Sequence, residues 1–194
     1  AKGLGLAVCQ ELAVRNAIVV MTDIDVQAVN SSAAKIATAA PSARIESHGV
    51  DVADCEAIDV YIQDIVARHG RIDYLFNNAG VNTMAEFRDV TPEHWQRIID
   101  VNLWGVIYGT QIAYRQMLKQ GSGHIVNIAS GLGLVPAPRN VPYATTKFAI
   151  YGLSESLRIE AKDLGIHVSV ACPGWISTPM VEQGRAILGS TAAH

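Results

Sequence analysis

His124-Ile125-Val126-Asn127-Ile128-Ala129-Ser130 is apolar on both alternating faces and ends on a small hydroxyl residue. A strand of that kind calls for cover on both sides, the condition of a parallel sheet packed between helices. Four further runs, 17–23, 43–51, 73–79 and 167–173, are likewise rich in Val, Ile or aromatic residues and bounded by Gly, Asp or Asn. Between them the spacing predicts helices over 2–14, 25–40, 54–69, 92–119 and 142–163. The fourth opens with Thr91 as N-cap, Pro92 in the first helical position and Glu93 in the positive first turn. Its apolar positions Trp95, Ile98, Ile99, Leu103 and Val106 follow helical spacing. Gly165 is placed to stop the last helix in a left-handed turn.

Strand alternating with helix in this way predicts an α/β protein with a doubly wound parallel sheet of Rossmann type in three α/β/α layers. There is no internal repeat, low-complexity tract or linker, so residues 1–194 read as one domain. The bulk numbers agree: 49% of the 194 residues are hydrophobic and 17% charged, too apolar a mixture for disorder. A net charge of −3 offers no basic footprint for nucleic acid and no polybasic membrane patch. The longest apolar runs are far too short to span a bilayer. Cys9, Cys55 and Cys172 are odd in number and widely spaced, which reads as free thiols in a cytoplasmic protein. No His, Cys or Asp cluster has metal-ligand spacing.

Two ends of the chain carry candidate chemistry. Gly3 and Gly5 open the first helix, and Asp23 closes the next strand 20 residues after Gly3. Glycines there let backbone amides approach a pyrophosphate, and an acidic side chain at that distance can accept both hydroxyls of a ribose. Asp25 is available as the cap of the following helix, which leaves Asp23 for a ligand. Lys2 would favour a 2′-phosphate that Asp23 would repel, and the balance predicts NAD over NADP. Asp51-Val52, Asn78-Ala79-Gly80 and Pro173-Gly174 all fall at strand C-termini, where open α/β sheets bind ligands; taken singly, each is equally a turn or a cap.

Tyr143 and Lys147 lie four apart near the start of a helix, so they share one face. An ammonium beside a phenol favours the phenolate and lowers the Tyr pKa toward the working range. Ser130, 13 residues earlier, can hydrogen-bond the same substrate oxygen. Asn102 falls within the apolar stripe of the 92–119 helix, where a buried amide either pins a kink or holds a water. A Tyr–Lys pair alone is better explained as a surface contact, and only its surroundings change that.

As an ordered set these residues resemble the short-chain dehydrogenase/reductase family. The resemblance runs from Lys2-Gly3-Leu4-Gly5 to about Met180 and includes Asp23, Asp51-Val52, Arg71-Ile72-Asp73, Asn77-Asn78-Ala79-Gly80, Val101-Asn102, Ser130, Tyr143-Ala144-Thr145-Thr146-Lys147 and Pro173-Gly174. It implies hydride transfer between a nicotinamide cofactor and an alcohol or ketone. Tyr143 would be the acid/base, Lys147 its pKa-lowering partner and a ribose ligand, Ser130 the group polarising the substrate oxygen, and Asn102 the organiser of a water relay. Lys2, Gly3, Leu4 and Gly5 would meet the pyrophosphate and Asp23 the adenosine ribose. Asp51, Val52, Asn78, Ala79 and Gly80 would line the adenosine side, and Ile176 and Thr178 would meet the nicotinamide carboxamide. It also implies a homodimer or homotetramer built on the helices at 92–119 and 142–163. Against the family's pattern the first and last strands are missing, so a truncated, inactive fragment is one alternative. Others are an NADPH-dependent 3-oxoacyl or carbonyl reductase and a non-catalytic nucleotide-binding scaffold.

Overall fold

The computed structural model describes residues 1–176, which form two compact units, Ala1–Asp51 and Val52–Ile176. In the first unit the helix α1 (Gly3–Val14) leads to strand β1 (Ile18–Asp23), helix α2 (Val26–Ala39) and strand β2 (Arg44–Gly49). The two strands run parallel, with Ile18 opposite Arg44 and Asp23 opposite Gly49. Ala13, Val19, Met21, Val29, Ala33 and Ile36 form the core of this unit. Burying a residue such as Val29 or Ile36 contributes about 1.5–3 kcal/mol. Asp25 caps α2 as its sequence position predicts, accepting from the Ala28 N–H at 2.9 Å.

The second unit contains helix α3 (Cys55–His69), strand β3 (Tyr74–Asn77), helices α4 (Pro92–Ile99) and α5 (Gly105–Gln120), strand β4 (Gly123–Ile128), helix α6 (Val141–Glu160) and strand β5 (Ile166–Ala171). Asp54 caps α3 by accepting from the Glu56 and Ala57 amides, and Gly70, at φ +81°, stops it. The sheet order is β3-β4-β5, all parallel, with Asn77 opposite Asn127 and Ile128 opposite Ala171. The fold is the α/β Rossmann type expected, its five described strands divided between a two-stranded and a three-stranded parallel sheet.

Three local features differ from the sequence reading. The 92–119 helix is two helices joined by a π turn over Asp100–Trp104, in which the Gly105 N–H donates to the Asp100 carbonyl five residues back. The last helix ends at Glu160, and Gly165 (φ +72°) instead turns the chain into β5. β5 alternates, with Ile166 and Val168 buried and His167 and Ser169 exposed, so its two faces are not equally covered. A buried amide network also crosses the unit. Asn77 Nδ2 donates to Thr110 Oγ1 (3.0 Å) and Asn127 Oδ1 (2.8 Å), and Asn127 Nδ2 donates to Ser154 Oγ (2.9 Å). It ties β3 and β4 to α5 and α6, and Gly109 on α5 leaves room for the Asn77 amide.

Candidate active site

Strand β4 delivers Ser130 to the start of a tight turn. The Ser130 hydroxyl accepts from the Leu132 N–H at 3.2 Å, and its carbonyl accepts from the Gly133 N–H at 2.8 Å. The turn is clamped to the end of β5 and the chain just past it: Ala129 donates to the Ala171 carbonyl and Gly131 to the Pro173 carbonyl, both at 2.8 Å. Gly133 packs on the backbone of α6, where a Cβ would stand 2.7 Å from the Lys147 carbonyl oxygen. The loop after β4 is therefore held against the helical turn that carries the other two candidates.

Tyr143 and Lys147 occupy the first turns of α6, with Pro142 in the opening turn as expected. Lys147 is 3% exposed. Its Nζ donates to the Ile128 carbonyl at 2.8 Å and lies over the Tyr143 ring, 5.5 Å from the centroid. Burial brings the Lys147 pKa down to about 8, against a small upward pull from Cys172. The half-buried Tyr143 phenol is raised above its ordinary value by desolvation, partly offset by the neighbouring Ser130 hydroxyl. This reverses the direction read from the sequence, because loss of water around the phenol is the largest influence on it.

Asn102 is fully buried in the π turn. Its Oδ1 accepts from the Val81 N–H (2.8 Å), while Nδ2 donates to the Val81 carbonyl (2.9 Å) and to Thr146 Oγ1 (3.3 Å). The side chain thus grips the chain just past Asn78-Ala79-Gly80 and, on its other side, α6. Among the described residues the second unit brings together Ser130, Tyr143, Lys147 and Asn102, with Val81 of the adjoining loop. Thr146 and Cys172 were missed by the sequence reading. The signal for Thr146 was a hydroxyl three residues after Tyr143, and for Cys172 a thiol directly before Pro173-Gly174. The Cys172 thiol is raised by desolvation, against the Ser130 amide and the Lys147 charge, which lower it.

The first unit holds Lys2, Gly3, Leu4, Gly5, Asp23 and Asp51. Lys2 sits in extended backbone before α1 and gives it no side-chain cap, and Gly3 takes φ +59°. The first-turn amides of α1 therefore have the character of an anion site. At the end of β1, Asp23 Oδ1 accepts from the Asp25 N–H at 3.1 Å, and Oδ2 accepts from the Ala1 amino group. Desolvation would raise this carboxyl, but the Asp25 hydrogen bond and the Lys2 charge pull it down, and it lies below the usual range. An ionised carboxylate beside an open helix N-terminus fits a ribose and a pyrophosphate. Asp51 is exposed after β2, while Val52, Asn78, Ala79, Gly80 and Ile176 belong to the second unit. Thr178 lies outside the described residues.

The sequence profile of short chain dehydrogenase matches residues 1–187. D-beta-hydroxybutyrate dehydrogenase of Cupriavidus necator is 30% identical over 181 residues, 93% of this chain and 69% of that protein. Levodione reductase superposes with a TM-score of 0.93 at 31% identity, covering 98% of this chain and 74% of that one. A gluconate 5-dehydrogenase of Burkholderia cenocepacia J2315, solved in complex with NADP and tartrate, superposes at 0.86 with 29% identity, over 98% and 72% of the two chains. The chain belongs to the short-chain dehydrogenase/reductase family of NAD(P)-dependent oxidoreductases.

Proposed function

We propose that residues 1–194 are one catalytic domain that moves a hydride between NAD and a small secondary alcohol or its ketone, with Tyr143 as acid/base. The observation that carries this is the buried Lys147 ammonium over the Tyr143 ring, held there by its hydrogen bond to the Ile128 carbonyl. In the oxidising direction the Tyr143 oxygen takes the carbinol proton, and in the reducing direction the phenol returns one to the carbonyl oxygen. Ser130 donates to that same oxygen and stabilises the charge that develops there. Lys147 favours the phenolate, and Asn102 holds the π turn where a water relay would begin. A nicotinamide cofactor held beside these residues would supply or take up the hydride.

The residues that would hold the cofactor are Lys2, Gly3, Leu4 and Gly5 at the pyrophosphate and Asp23 at the adenosine ribose. Asp51, Val52 and Asn78–Gly80 would serve the adenosine side, Lys147 the nicotinamide ribose, and Ile176 and Thr178 the carboxamide. Asp23 supports NAD, since an ionised carboxylate repels a 2′-phosphate by about 4 kcal/mol per charge pair at 4 Å in a surface-like dielectric. Lys2 is exposed and screened, so it offsets little of this. NADP is the second reading, favoured by Lys2 and by the NADP held in the gluconate 5-dehydrogenase structure.

A homodimer or homotetramer through the helical stretch 92–119 and the helix at 142–163 is supported by Trp104 and Phe148, 43% and 45% exposed, with the Trp104 ring stacked on Tyr108. The free thiols of Cys9, Cys55 and Cys172 support a cytoplasmic setting. No helix of the described residues is long and apolar enough to cross a membrane. The test is a fluorescence titration with NADH and, separately, NADPH, followed by a screen of alcohols and ketones. Tighter NADH binding with turnover of a secondary alcohol is expected. Binding of neither cofactor would contradict the proposal.

A further inference from the structure

Thr146 is 1% exposed, and both capacities of its hydroxyl are used. The O–H donates to the Tyr143 carbonyl at 2.8 Å, while the oxygen accepts from Asn102 Nδ2 at 3.3 Å. Because the Thr146 proton is committed to a carbonyl, Asn102 must present its amino group to Thr146. The second amino hydrogen then goes to the Val81 carbonyl, and Oδ1 faces the Val81 N–H. The hydroxyl thus reinforces, from the α6 side, the amide orientation that Val81 requires and so ties α6 to the clamp on the loop beyond Gly80. The same hydroxyl grips the backbone of Tyr143. The π turn makes this reach possible, because its extra residue places Asn102 fully inside the unit between the loop and α6.

We propose that Thr146 is a positioning residue for the reaction, tying the helical turn that carries Tyr143 to Asn102 and, through Asn102, to the chain at Val81. The inference rests on Tyr143 being the acid/base. Its physical content is that the phenol is aimed from a turn whose backbone is fixed by a side chain, so a tilt of that turn moves the reacting oxygen. Valine at 146 keeps the volume and loses both hydrogen bonds. Serine keeps the bonds and loses a methyl group.

The test compares T146V, T146S, N102A and the double variant N102A/T146V in the intact chain. Each is measured for Val81 amide exchange by NMR, for NADH affinity, and for kcat and KM. The turnover probe is whichever of racemic 3-hydroxybutyrate, butane-2,3-diol and cyclohexanol the wild type oxidises fastest. In T146V the Val81 amide should exchange about tenfold faster and kcat should fall about tenfold, a larger loss than any in NADH affinity. T146S should match the wild type within about twofold, and the double variant should be no slower than N102A because the two residues act as one unit. Wild-type exchange and kcat in T146V would overturn the proposal, as would additive losses in the double variant. If T146V does not fold, T146S decides: wild-type Val81 protection supports the hydroxyl's role, and lost protection overturns it. Tyr143→Phe in the same assay keeps the two readings apart, since turnover retained there sinks the acid/base assignment while Val81 exchange still reports on Thr146.

Discussion

The Lys147 ammonium lies over the Tyr143 ring and donates to the Ile128 carbonyl, so the α6 pair is anchored to the end of β4 through the lysine. The anchor explains why so polar a group is tolerated at 3% exposure: a strand carbonyl and an aromatic face replace part of its hydration. It also makes the site sensitive to proton uptake by a group of lowered pKa.

The Lys147 pKa falls from 10.5 in the unfolded chain to about 8 in the folded one. Between those values the unfolded state binds more protons, so stability rises with pH. The burial penalty, about 3 kcal/mol, is fully present below pH 8 and is relieved as pH climbs toward 10.5. Tyr143, being raised, acts in the opposite sense, but only above pH 10. Urea unfolding should show wild type gaining about 2 kcal/mol from pH 7 to 9.5 relative to Lys147→Met. Parallel curves for the two proteins would count against a desolvated Lys147.

Gly133 meets the Lys147 backbone so closely that a methyl group must displace it, since the obstacle is backbone and not a flexible side chain. Gly133→Ala should cost about 1–3 kcal/mol and lower kcat more than it weakens NADH binding. Thermal unfolding and steady-state kinetics on one preparation check both halves.

Asn127 satisfies Asn77 on one side and Ser154 on the other, all within the unit's interior. Asn127→Leu removes one bond from each of Asn77 and Ser154, which keep Thr110 and the Ile150 carbonyl, and should destabilise by about 2–4 kcal/mol, whereas Ser154→Ala, which takes the acceptor from one Asn127 N–H, should cost about 1–3 kcal/mol. A denaturant midpoint for Asn127→Leu equal to wild type would show that the network adds little.

Asp23 is held below the ordinary carboxyl pKa and is therefore charged at neutral pH. Asp23→Ser should weaken NADH binding and strengthen NADPH binding, moving their ratio by about 10–100-fold. An unchanged ratio would place cofactor choice elsewhere.

Local patterns carried most of the fold. The two-faced apolar run at 124–130 announced β4, and Thr91-Pro92 announced α4, because each depends on residues a few positions apart. The π turn did not announce itself. It exists where Asn102 meets Val81, 21 residues back, and no periodicity within 92–119 records that partner. Helix α6 likewise stops at Glu160 although the better stop signal, Gly165, stands five residues on. At the site, Ser130, Tyr143, Lys147 and Asn102 were legible as residue types at suggestive spacings. Thr146 was not, since its role comes from a contact 44 residues away. The direction of the Tyr143 shift was not legible either, because spacing shows that an ammonium is near but not how much water both groups lose.

Single-turnover kinetics of Tyr143→Phe tests the acid/base role most directly. The variant should bind NADH within about twofold of wild type and lose about 1,000-fold or more in the rate of alcohol oxidation, since the phenol's proton transfer has no substitute in the site. Oxidation at a rate near wild type, with NADH bound as tightly, would contradict the assignment of Tyr143 as the acid/base.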